Sequence, residues 1–135
     1  MSDLLDRLPY ARFLGLTTAV EGDDLTVTMP FADRLIGNPM LPALHGGSTA
    51  ALLELTAVAQ VAMLYPSLRL PRPINVTVAY LRSGRPRDVM GRARINKAGR
   101  RVVHVLAEAW QDDPDQPIAT LSAHFLIEDD NDRLP

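Results

Sequence analysis

The chain has 135 residues, 47% of them hydrophobic and 22% charged, the balance of a globular domain rather than a disordered or fibrous one. A domain of this length buries about two thirds of the surface its unfolded chain exposes, so it folds without staples. The absence of cysteine excludes disulfides, thiolate catalysis and cysteine-ligated metals, and a net charge of −2 gives no global signal for nucleic acid.

The first residues, Met1-Ser2-Asp3-Leu4-Leu5-Asp6-Arg7, carry acids where a secretory signal would be basic, and they lack an apolar core. Cytoplasm is therefore the expected location. A short helix is expected over residues 2–8, stopped by Pro9, with a first strand over 13–20. Glu21-Gly22-Asp23-Asp24 has turn chemistry, and the alternation of Leu25-Thr26-Val27-Thr28-Met29 predicts a half-buried strand in a hairpin with the first. Residues 30–44 hold three prolines, Gly37 and Asn38 without either period, and are expected to form a loop.

From Gly46 to Tyr65 the pattern is helical, closed by Pro66. The apolar run from Ala50 to Tyr65 is interrupted by Glu54, Thr56 and Gln60 and is shorter than the roughly 20 residues a bilayer requires, so it reads as a buried helix. After a Pro-rich connector, strands are expected over 74–82, 88–96, 101–111 and 118–128, with turn residues between them. Connections this short predict an antiparallel meander, because a parallel crossover needs a dozen or more residues. The acidic tail, 129–135, is expected to fray. The sum is one α+β domain spanning 1–135 with about six strands and one buried helix, apolar nearly all round, which is most simply packed by curling the sheet about it.

Chemistry concentrates at the start of that helix. A wheel drawn at about 100° per residue groups Thr49, Thr56 and Gln60 on one side and sets Glu54 apart, among Ala50, Ala51, Ala57, Val58 and Val61. A carboxylate in an apolar stripe, if uncompensated, has the raised pKa of a usable base near neutral pH; the plainer reading is a Glu that reaches the helix edge or pairs with an arginine. Gly46 and Gly47 are poor helix-interior residues, costing about 1 kcal/mol each, but they suit a helix start that something must approach closely. The first N–H groups there have no partners and can hold an oxyanion. The alternative is that the glycines only let a loop pack tightly.

Between positions 69 and 101 lie ten of the 14 basic residues against one acid, Asp88, a local charge of +9. Most of these arginines suit solvated strand faces and turns, but a few can meet a polyphosphate through the planar fork of the guanidinium. His104 and His124 fall in strands and read as satisfied histidines. With three scattered histidines and no cysteine, neither a metal site nor a cofactor is expected.

The stretch Leu44-His45-Gly46-Gly47-Ser48-Thr49-Ala50-Ala51-Leu52-Leu53-Glu54 resembles the helix-start motif of the hotdog-fold acyl-CoA thioesterases, the PaaI-like branch especially, and the resemblance covers roughly residues 10–128. It implies a hotdog fold and hydrolysis of an acyl-CoA, with the carboxylate of Glu54 attacking the thioester or activating water and the Gly46 N–H binding the carbonyl oxygen. His45 either contacts substrate or hydrogen-bonds the loop it ends. Members of that branch have an Asn six residues before the His; here Pro39 takes that place and Asn38 stands seven before. Positions that hold Ser or Thr in related branches are Val58 and Pro73, which leaves Asn38, Ser48 and Asn75 as polar substitutes. Arg82, Arg85, Arg100 and Arg101 flank turns and are the candidates for CoA phosphates.

Gly46 and Glu54 are eight residues apart, about 12 Å along a helix, whereas an oxyanion donor and a base both lie about 3 Å from one reacting carbonyl. One helix cannot supply both, so joint action requires Gly46 of one subunit to face Glu54 of another, as two antiparallel helices about a twofold axis do twice. The expected assembly is a homodimer with shared sites, extensible to a tetramer. Two rival readings stand beside it. Pro39-Met40-Leu41-Pro42 before a Glu-bearing helix loosely resembles the hotdog dehydratases, which need a catalytic His just upstream that is absent here. The other is an acyl-CoA-binding module without chemistry. Phe31, Met40, Met63, Leu64 and Tyr65 are the residues expected to set the size of the acyl group.

Overall fold

A computed structural model of the protein describes residues 2–66 and 69–128. The expected acidic tail, 129–135, lies outside them. Two short helices open the chain, α1 (Ser2–Asp6) and α2 (Pro9–Leu14). Pro9 does not stop a helix; it begins one, because a proline at the first helical position has no N–H to lose and its φ is already helical. Gly15, at φ 71°, closes α2 in the left-handed conformation, its N–H returning to the Arg12 carbonyl at 3.0 Å. The first strand is thereby displaced from residue 13 to Thr17.

Strands β1 (Thr17–Glu21) and β2 (Asp24–Met29) form the expected antiparallel hairpin. The segment 30–44 is more ordered than a bare loop. It contains one 3₁₀ turn, Asp33–Leu35, and a two-stranded ribbon of β3 (Ile36–Asn38) and β4 (Ala43–Leu44). Neither strand is long enough for its alternation to show in the sequence. The ribbon delivers the chain to α3 (Gly46–Leu64), and β5 (Arg72–Tyr80), β6 (Val89–Ala98), β7 (Val102–Trp110) and β8 (Ala119–Leu126) follow.

The main sheet has the order β1-β2-β6-β7-β8-β5, with every pair antiparallel. The expected meander therefore holds for β6, β7 and β8 only. β5 lies at the far edge on β8, and β6 pairs with β2. Pairing of consecutive strands is a tendency, and the linker between Tyr80 and Val89 is long enough to carry the chain across the end of the sheet. The result packs strands from both halves of the chain against the helix. This is the hotdog arrangement, an α+β fold in which six strands curl about one long helix.

Leu52, Leu53, Ala57, Ala59 and Val61 on α3 are fully buried against Val27, Val103, Val105 and Phe125 from the strands. Each buried Leu contributes roughly 2 kcal/mol. By length and composition alone α3 would cross a bilayer, with 19 residues and a hydropathy of 1.4, but more than half of it is covered by the protein's own sheet. The polar side of the wheel faces inward too. Thr56 donates to the Leu52 carbonyl at 2.6 Å. Gln60 donates to the Asp23 carbonyl at 2.9 Å and accepts from the Leu25 N–H at 3.3 Å. Burying Gln60 is tolerable because both ends of its amide are satisfied, which ties the helix to the β1–β2 turn.

Candidate active site

His45 is the N-cap of α3, in extended conformation at φ −67° and ψ 127°. Its ring Nδ1 accepts from the Gly47 N–H at 2.9 Å, the part that Ser or Asp plays at most helix starts. Its carbonyl accepts twice from Ser48, from the N–H at 3.1 Å and from Oγ at 2.7 Å. Its own N–H is held by the Leu35 carbonyl at 2.7 Å. Gly37 must be glycine at this approach, because a Cβ there would stand 2.7 Å from the His45 Cα.

These bonds leave one group over. Among the described residues the Gly46 N–H has no acceptor, and it projects from the positive end of a 19-residue helix. The carbonyl of the same peptide is the one Ser48 clamps, which restrains this peptide from one end. Ser48 and Gly47, the first a candidate polar group for the substrate and the second part of the closely approached helix start, both bond to His45. Ser48 is buried and spends its hydroxyl on His45, and Gly47 gives its N–H to the same residue. A Cβ at Gly47 would lie 2.9 Å from the His45 Nδ1.

Glu54 sits two turns further along, half-buried, and no hydrogen bond or ion pair among the described residues engages its carboxylate. Its neighbours one turn earlier, Ala50 and Ala51, and the adjacent Leu55 are also only half-buried, whereas Ala57, Val58 and Val61 face the core. The side of α3 that holds Ala50, Ala51 and Glu54 is thus partly open, whereas the face with Thr56 and Gln60 is sealed.

A cleft of about 370 Å³ runs from Gly46 and Thr49 past Tyr80 to Arg82. A second, of about 390 Å³, shares Arg82 and Ser83 and is also lined by Arg85, Leu41 and Gln111. Gln111 clamps the Arg85 backbone, accepting from its N–H at 3.0 Å and donating to its carbonyl at 2.8 Å. The guanidinium groups of Arg82 and Arg85 have no ion-pair partner among the described residues, whereas Arg87 pairs with Asp112 at 2.8 Å and Arg92 with Glu108 at 2.6 Å.

Other expected residues fall elsewhere. Arg100 and Arg101 occupy the β6–β7 turn, about 30 Å along the strands from the Arg85 end. Asn75 pairs with His124 across β5 and β8, on the outer face of the sheet, and its Oδ1 contacts the His124 Nδ1 at 2.9 Å. Within one subunit it therefore lies on the side of the sheet away from α3. His104 and His124 are hydrogen-bonded on that outer face and stack at 4.5 Å, the satisfied role expected of them. Asn38 uses its Oδ1 to accept from the Met40 N–H at 3.0 Å in the turn between β3 and β4.

One residue at the site was not anticipated. Tyr80, the last of β5, donates its hydroxyl to the Gly46 carbonyl at 2.8 Å, and its ring lies over the glycine. The only sequence signal was the alternation Ile74, Val76, Val78, Tyr80, which sets it on the helix-facing side of the strand.

Known proteins share the fold. A phenylacetic acid degradation-related protein of Ralstonia eutropha, assigned as a candidate thioesterase, is 26% identical, with 93% of this chain and 97% of that one superposing at a TM-score of 0.78. A protein of Chromobacterium violaceum is 36% identical over 93% of this chain and 87% of its own, at a TM-score of 0.75. A Shewanella oneidensis protein related to the thioesterase superfamily, 24% identical over 93% and 92% of the two chains with a TM-score of 0.78, shares the fold. No curated protein matches in sequence. Residues 37–126 match the model of the acyl-CoA thioesterase N-terminal domain, and the chain belongs to that family.

Proposed function

We propose that this chain is a cytoplasmic acyl-CoA thioesterase that works as a homodimer, with Gly46 of one subunit and Glu54 of the other completing each of two sites. The observation that carries the reading is the contrast at α3. Every backbone polar group at the helix start is engaged except the Gly46 N–H, and among the described residues the half-buried Glu54 carboxylate has no partner.

The thioester carbonyl oxygen sits at the Gly46 N–H, which stabilises the charge that develops on attack. Glu54 of the partner subunit either attacks the carbonyl carbon or removes a proton from the attacking water. Because His45 accepts at Nδ1, its Nε2 carries the ring proton and is left to donate a hydrogen bond, and on the general-base route the proton that Glu54 takes from water passes to the departing sulfur. The CoA arm follows the cleft past Tyr80, and Arg82 and Arg85 take its phosphates. Arg100 and Arg101 reach such a site only from the partner subunit. Dimerisation is supported by the unpaired edge of β5, where Ile74 (55%), Val76 (38%) and Tyr80 (55%) are exposed apolar side chains beside the partly open side of α3.

The test is release of free thiol from short, long and aromatic acyl-CoAs by the wild type and Glu54→Gln, with mass measured by light scattering. Turnover by the wild-type dimer and none by the variant supports the reading. Tight acyl-CoA binding without release by the wild type would identify a non-catalytic binding module, a reading favoured by the commitment of Asn38 to its own turn.

A further inference from the structure

The family motif ends with the helix, yet the contact that holds its first peptide comes from the edge strand. Glycine at position 46 leaves rotation about two backbone bonds nearly unrestrained, and an oxyanion donor works only if its direction is set before the reaction. The restraint comes from neighbours. Peptide 45–46, which carries the free N–H, is held at its carbonyl by Ser48. Peptide 46–47 is held at both ends, its carbonyl by the Tyr80 hydroxyl at 2.8 Å and its N–H by His45 at 2.9 Å. The Tyr80 ring also fills the volume that a side chain at 46 would take, since a Cβ there would lie 3.1 Å from its Cε1 and Cζ atoms.

We propose that Tyr80 is a positioning residue for the oxyanion donor, its hydroxyl locking the Gly46–Gly47 peptide so that the Gly46 N–H keeps one direction. The inference rests on the thioesterase reading for its catalytic consequence, but not for the lock itself. Tyr80 is 55% exposed, so removing the hydroxyl leaves a Phe ring at a surface position rather than a hole in the core. A role confined to anchoring the helix would lower thermal stability without separating kcat from KM.

Tyr80→Phe is the deciding variant, read in two ways on the full chain. In acyl-CoA hydrolysis, kcat falls by about fivefold to tenfold, the worth of one neutral hydrogen bond, and KM stays within about twofold because the ring and the cleft remain. In the ligand-free protein, the Gly47 amide, whose N–H His45 accepts, exchanges with solvent at least about tenfold faster, whereas amides in the middle of α3 keep wild-type rates. Unchanged kcat, or a Gly47 amide that exchanges at the wild-type rate, would overturn the proposal. So would acceleration spread along the whole helix, which marks loosening of the fold. If the wild type hydrolyses no acyl-CoA, the functional reading fails by itself, and the Gly47 amide alone decides whether Tyr80 holds the Gly46–Gly47 peptide.

Discussion

The two sides of α3 carry polar residues of opposite character. On the sealed side, Thr56 and Gln60 are fully or almost fully buried, and each polar atom named there meets a partner in the helix or in the β1–β2 turn. On the more open side, Glu54 is half-buried beside the half-buried Ala50 and Ala51 and meets none among the described residues. On the proposed function, the difference separates polar groups that secure the fold from those kept available for chemistry. A buried amide without partners would cost about 1–3 kcal/mol, so the sealed side has to be satisfied. A carboxylate that is to receive a proton or attack a carbonyl has to be left alone.

The sharpest way to break this comparison is Glu54→Gln, which keeps size and shape. Turnover should fall by about 10³-fold or more, the scale of losing a general base or nucleophile, with the melting temperature and the dimer unchanged. A loss of stability instead would place Glu54 with the structural residues. Gly46→Ala comes next. The added methyl meets the Tyr80 ring at 3.1 Å, turning the donor, and kcat should fall by about 10²-fold in a protein that still gives the circular dichroism of the wild type. Gln60→Ala should show the reverse pattern. It strands the Leu25 N–H and the Asp23 carbonyl, so stability to denaturant falls by about 2–3 kcal/mol, while kcat per folded molecule holds.

The helix, its first residue and most strand positions were legible because each rests on a local rule: glycines at a helix start, a proline after its end, turn residues between alternating runs. Pro9 misled because a proline both ends one helix and begins the next, and only the Gly15 cap at φ 71° identifies the second. Strand order was beyond reach. Nothing in Arg72–Tyr80 says that β5 pairs with β8 rather than β6, since both partners are antiparallel and apolar on the inner face. For the site, spacing along α3 exposed Gly46 and Glu54, but the wheel could not tell which side the sheet would cover. Asn75 and Tyr80 show the cost of not knowing strand direction and face. They are five residues apart on one strand, which places them on opposite sides of the sheet: one on the outer face with His124, the other against Gly46.

The same contrast between engaged and unengaged groups extends to the cations near Gly46. Arg82 lines the cleft that begins at Gly46 and has no ion-pair partner among the described residues, whereas Arg87, five positions on, is paired with Asp112 at 2.8 Å. If Arg82 meets a phosphate of CoA, Arg82→Ala should raise KM for an acyl-CoA by about tenfold, the worth of one charge-assisted hydrogen bond, with kcat unchanged because the contact is equal in ground and transition states. The same acyl group on a pantetheine without the nucleotide should show no change in KM, since it has no phosphate to lose. Arg87→Ala should leave both substrates untouched. An equal KM rise for both thioesters in the Arg82 variant would mean that this arginine shapes the cleft wall rather than reading charge, and the phosphates would then have to be sought on the partner subunit.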